Sequence, residues 1–186
     1  LITWGEQTIS SGLAALLQAT MPIFTVIMAH FITEDEHIRP RRILGIVAGF
    51  AGVLVLMLPD LRQGLRENIM GQMAIVVSSV SYAGATIYAR GVLRGHAPLM
   101  ATTGQLTTGA LFTLPLSLIF ERPFDISPSP GALASWLGLV LIGTVVAYVI
   151  YYALLARTSA TFTSTVTYVI PVNGLLLGAL VLGEPL

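Results

Sequence analysis

Apolar residues come in six long runs, broken by short polar joints. The runs extend approximately from Ser11 to Ile32, Arg42 to Pro59, Ile69 to Ala89, Pro98 to Phe120, Leu133 to Ala156 and Ala160 to Leu182. A helix crossing about 30 Å of hydrocarbon at 1.5 Å per residue needs roughly 20 apolar residues, so each run predicts a membrane-crossing helix. The second is short and needs Arg42 to snorkel or the bilayer to thin. Ahead of Ser11, "LITWGEQTIS" reads as the tail of a further helix, and the chain runs from Leu1 to an ending in "GEPL". A piece of a larger, transporter-sized protein is the expectation, without a recognisable signal peptide.

Composition agrees with that pattern. Hydrophobic residues make up 55% of the chain and charged residues 10%, with a mean hydropathy of +0.84, outside the range of soluble domains. The expected fold is all-α, a polytopic transmembrane bundle. With no cysteine there is neither a disulfide framework nor a thiolate metal site. Nine basic residues, all arginine, balance nine acidic ones, so no basic surface for nucleic acid follows. The arginines do orient the chain. Arg39, Arg41, Arg42, Arg90, Arg94 and Arg157 fall on one side of the membrane, and Arg62, Arg66 and Arg122 on the other. The positive-inside tendency puts the first group in the cytoplasm.

The first and last spans resemble each other. At a fixed offset of 149 residues (159 less 10), Ser10 meets Ser159, Pro22 meets Pro171 and Asp35 meets Glu184. Each proline lies about 16 Å along its helix, near mid-bilayer. Five steps separate the two spans, an odd number, so they run in opposite directions. Inverted repeats of this kind let transporters alternate access around a central site. A proline inside a helix deprives the carbonyl four residues earlier of its donor, which exposes the acceptors of Gln18 and Thr167. In hydrocarbon each needs a neighbouring hydroxyl, a water or a solute.

Several of these stretches carry a family resemblance: "SSGLAALLQATMPIF", "FITEDE", "RRILGIVAGFAGVLVL" and "YVIPVNGLLLGALVLGEPL". The chain resembles the EamA-type transporters of the drug/metabolite transporter superfamily over essentially its whole length. The resemblance implies ten helices in two inverted five-helix copies, truncated here to roughly the end of the third through the ninth. Residues 1–59 would close the first copy, and 60–186 would form the second without its last helix. The family's Leu-Gly-Glu ending matches Leu182, Gly183 and Glu184, whereas the first copy has Thr33, Glu34 and Asp35. Substrates vary across the family, so membership names none.

Polar groups at helical spacing inside the spans are the candidate solute contacts, because each costs free energy in lipid. They are Gln18 and Pro22 on the first span, Ser78 and Tyr82 on the third, and Gln105 on the fourth. Tyr148 and Tyr152 follow on the fifth, and Thr165, Tyr168 and Pro171 on the sixth. Together they would line a neutral, aromatic-edged cavity suited to amphipathic or zwitterionic metabolites. For the serines and threonines, hydrogen bonding between helices is the simpler reading. Gly45 and Gly49, like Ala48 and Gly52, form small-xxx-small faces for close helix packing, within the subunit or in a homodimer. Glu6 and His30 are read as groups near the interface, and Tyr88 and Trp136 as interfacial aromatics. Glu34, Asp35 and Glu36 read most simply as a solvated loop paired locally with Arg39, Arg41 and Arg42, with a gating role as the alternative.

No GxSxG elbow, HExxH pair or Walker loop is present, and His30, His37 and His96 lack metal spacing, so neither an enzyme, a metal nor a cofactor is expected. The reading is a multi-pass inner-membrane transporter exporting a small metabolite, with the lipid bilayer and a small-molecule solute as partners. A non-transporting structural or receptor-like membrane module is the alternative.

Overall fold

The computed structural model describes residues 1–58, 68–93, 95–120, 128–177 and 180, and among them every regular element is helical. In chain order these are α1 (Ile2–Gly5), α2 (Ser11–Gln18), α3 (Met21–Ile32), α4 (Pro40–Leu56), α5 (Ile69–Val92) and α6 (Pro98–Phe120). Next come α7 (Pro130–Gly138), a π-helical stretch (Leu139–Val146), α8 (Ala147–Arg157), α9 (Ala160–Ser164), a 3₁₀ turn (Thr165–Tyr168) and α10 (Val169–Leu177). Arg62, Arg66, Arg94 and Arg122, which entered the orientation argument, lie outside the described residues, as do Leu182, Gly183 and Glu184.

Local chemistry sets the helix starts. Ser10, Ser129 and Ser159 each cap a helix, their hydroxyl oxygens accepting from the amides of Leu13, Ala132 and Phe162. Proline occupies the first turn of α3, α4 and α7, where its missing N–H costs no helical bond. Among the described residues, three stretches are long and apolar enough to cross a membrane: Gly12–Ile32, Ile69–Val92 and Pro130–Arg157. Helix α4, at 17 residues, is short, as its sequence predicts.

The chain packs as two compact units. One comprises Leu1–Val92 with the described residues from Ser159 onward; the other is Leu93–Thr158. In the first, α5 is the central post, touching α1, α2, α3 and α9. Its contact with α1 is a glycine crossing: a Cβ on Gly5 would come within 3.0 Å of the Gly71 carbonyl, and one on Gly71 within 2.3 Å of Thr8 Oγ1. Ile9, Leu13, Leu16, Val53, Met57 and Ile75 form the core where α2, α4 and α5 meet. In the second unit α6 packs on α8. The π-helical stretch widens the helix ahead of α8, with Thr144 Oγ1 donating to the Leu139 carbonyl at 3.2 Å.

Candidate functional site

The first span is not one continuous helix. Helix α2 stops at Gln18, and α3 restarts at Met21 after a tight turn through Ala19 and Thr20. The carbonyl of Leu17, one step before Gln18, acquires unusual partners. It accepts from Thr20 N at 3.1 Å, Thr20 Oγ1 at 2.6 Å and Ser79 Oγ of α5 at 3.2 Å. The shift has a simple cause. Pro22, fully buried, falls in the first turn of the new helix, so the chain tightens one step before it. Gln18 itself ends the first segment with its side-chain Oε1 buried and without a hydrogen-bond partner. Ser78 is 4% exposed on the facing helix, while Tyr82, one turn on, is 45% exposed.

The last span is broken as well, into α9, the 3₁₀ turn and α10. Its hydroxyls bond back along their own chain: Thr163 to the Ser159 carbonyl (3.0 Å), Ser164 to Thr161 (2.7 Å), Thr165 to Phe162 (2.6 Å) and Thr167 to Ser164 (2.8 Å). Back-bonding of this type bends helices. Pro171 is buried in the first turn of α10. Thr165 and Tyr168 line a cleft of about 440 Å³ with Arg42, Gly45, Ile46 and Thr161. The Tyr168 ring lies on Gly49, where a Cβ would sit 2.6 Å from Tyr168 Cδ2, and its hydroxyl donates to the Ile46 carbonyl at 3.1 Å. The small-xxx-small face of α4 is therefore occupied, at Gly49, by an aromatic ring of the same unit.

In the second unit the Tyr152 hydroxyl hydrogen-bonds Gln105 Oε1, and the rings of Tyr148, Tyr151 and Tyr152 stand 5.7–6.4 Å apart. The structure thus groups Gln105, Tyr148 and Tyr152 within one unit. Gln18, Pro22, Ser78, Tyr82, Thr165, Tyr168 and Pro171 belong to the other. His30 keeps its Nδ1 buried without a hydrogen-bond partner, and Tyr88 and Trp136 are exposed.

For one group the structure corrects the simpler sequence reading. Glu36 does not sit in a solvated loop: it is 1% exposed. Its carboxylate accepts from the amides of Ala160 (2.6 Å) and Thr161 (3.1 Å) at the start of α9. It also pairs with Arg90 at 3.2 Å and Arg42 at 3.6 Å. Arg90 reaches Asp35 with both guanidinium arms, at 3.0 and 2.8 Å. Nothing local separates Glu36 from Glu34 and Asp35, and its partners come from three other helices. The one usable signal was a carboxylate run facing a helix start that follows Arg157. Among the described residues, no three His, Cys, Asp or Glu side chains gather to hold a metal ion.

The description of the EamA-like transporter family matches residues 1–58 and 69–186, which is nearly the whole chain. The chain belongs to the EamA-like transporter family. Similar proteins include an uncharacterized transporter of Archaeoglobus fulgidus, 30% identical over 98% of this chain and 63% of its own length. The uncharacterized inner membrane transporter YedA of Escherichia coli K12 is 27% identical over 97% of this chain and 57% of its own. A probable amino-acid metabolite efflux pump of Salmonella typhimurium is 29% identical over 95% and 61%. The chain therefore spans less than two thirds of these relatives. No solved structure matches it significantly. Family and apolar helices together make it a multi-pass membrane protein.

Proposed function

We propose that this chain is part of an inner-membrane exporter of a small metabolite, amino acid-like or amphipathic, working by alternating access between two inverted repeats. The observation that carries the reading is the pair of broken spans. Both sequence-matched spans interrupt their helices just before a buried proline, and at one break the Gln18 amide oxygen is buried with no partner. An unsatisfied amide costs about 1–3 kcal/mol, and a solute is one means of offsetting it. Broken helices that free backbone and side-chain polarity near the midplane are where transporters build their sites. The efflux name of the Salmonella relative supports the direction and class of solute.

In this proposal Gln18, Ser78, Tyr82, Thr165 and Tyr168 are the candidate solute contacts of the first unit, and Gln105, Tyr148 and Tyr152 those of the second, each set taken by itself. Pro22 and Pro171 stand in the first turn after each break and border the site. No metal or cofactor takes part. The test is flux into everted vesicles holding the full-length protein, across a panel of amino acids and amphipathic amines, normalised to protein in the membrane. Saturable flux of a panel member, lost in Gln18→Ala and Tyr82→Ala at normal expression, is the expected result. A folded protein that moves nothing across the panel would point to the structural or receptor-like alternative.

A further inference from the structure

Four elements meet at Glu36. The residue lies in the joint between α3 and α4, Arg42 in the first turn of α4, Arg90 near the end of α5, and Ala160 and Thr161 at the start of α9. A carboxylate offers about four lone-pair sites, and here two go to backbone amides and two face guanidinium groups. The first amides of any helix lack internal partners and carry positive potential, so a buried anion there is favourable. To the local pairing with Arg42 that the loop sequence advertises, the buried carboxylate adds contacts up to 125 residues away.

We propose that Glu36 is a positioning residue: it clamps the start of the broken last span against α3, α4 and α5, and the protein opens on that membrane face by releasing it. The proposal rests on the transport reading, because only a protein that alternates access has to open there. The chemistry suits a contact that must break repeatedly. Separating apolar surfaces would expose them to water at full cost, whereas a carboxylate, two guanidinium groups and two amides are each rehydrated when they part. The net cost of opening is therefore small, while the closed form stays specific. Four directed contacts on one carboxylate leave no second register. The segment held in this way leads, within about two turns, to Thr165 and Tyr168.

The experiment reads accessibility, not flux. Thr163, fully buried in α9, is replaced by cysteine in the full-length protein with any other cysteines removed; residues 1–186 contain none. Inside-out and right-side-out vesicles are then treated with an impermeant maleimide. In E36Q, which keeps the shape but not the charge, labelling from the face carrying Arg39, Arg41 and Arg42 rises about tenfold, equivalent to roughly 1.4 kcal/mol in the opening equilibrium. E36D brings it back towards the parent value. A control cysteine at Ser79, fully buried deeper on α5, stays unlabelled.

R42Q removes only the longest of the four contacts and raises labelling less; it decides the matter if E36Q fails to reach the membrane. Unchanged labelling at position 163 in the variants that reach the membrane overturns the proposal. So does an equal rise at position 79, which marks general loosening. Because no solute is added, a protein without measurable flux that still labels in this pattern keeps the clamp and loses the transport reading.

Discussion

An amide oxygen buried in a membrane protein without a partner is a standing cost, and Gln18 carries one at the end of α2. Replacing it with leucine removes the unsatisfied oxygen while keeping most of the volume. Gln18→Leu should therefore hold or raise thermal stability, by up to about 1–3 kcal/mol if the site accepts the branch, while solute flux falls. Thermal unfolding followed by size-exclusion in detergent, beside vesicle flux, checks both halves. Ser79→Ala tests the opposite case. The Leu17 carbonyl keeps Thr20 N and Thr20 Oγ1 as donors, so losing Ser79 should cost only about 0.6 kcal/mol, the average for such contacts. Gln18 was legible in the sequence because a polar residue at mid-span is conspicuous against its neighbours. Glu36 was not, since its burial is decided by Arg90 and by amides 124 and 125 positions along the chain. No window of sequence contains that information.

Helices tell a similar story at larger grain. The prolines announced interruptions in the first and last spans, yet each break begins upstream of its proline, in a 3₁₀-like tightening that hydroxyl back-bonds sustain. That changes what Pro22→Ala should do. A mid-helix proline costs about 3 kcal/mol, but one in a first turn costs little, so Pro22→Ala should shift stability by well under about 1 kcal/mol and leave the break in place. Thermal unfolding provides the check. Gly49→Ala is the sharper substitution. Its Cβ would press on the Tyr168 ring, which can yield only by losing its hydrogen bond to Ile46. A loss of about 1–3 kcal/mol is expected from overpacking, whereas Gly52→Ala, with open space around it, should be neutral. Comparing the two melting temperatures separates a packing glycine from an idle one. The glycine spacing was readable; the ring that fills it, 119 residues away (168 less 49), was not.

For the whole molecule, the apolar runs and their short joints gave the all-helical, multi-pass character directly, because hydrocarbon leaves the backbone few options. The grouping into two packing units was not apparent, since lipid-facing and helix-facing apolar residues are chemically alike. Orientation remains an arginine argument. Single cysteines at Arg39 and Arg41, both exposed, should resist impermeant thiol reagents in intact cells and react once the cytoplasmic face is opened. Ready labelling from outside would reverse the orientation. The hydroxyls of the last span carry a consequence for biosynthesis. Between Thr163 and Thr167, four side-chain donors already hold acceptors of their own segment. To the insertion machinery, which partitions each nascent segment between water and lipid, such a stretch presents far less polarity than its composition implies, and it can pass sideways into the bilayer before any neighbour has arrived to receive it.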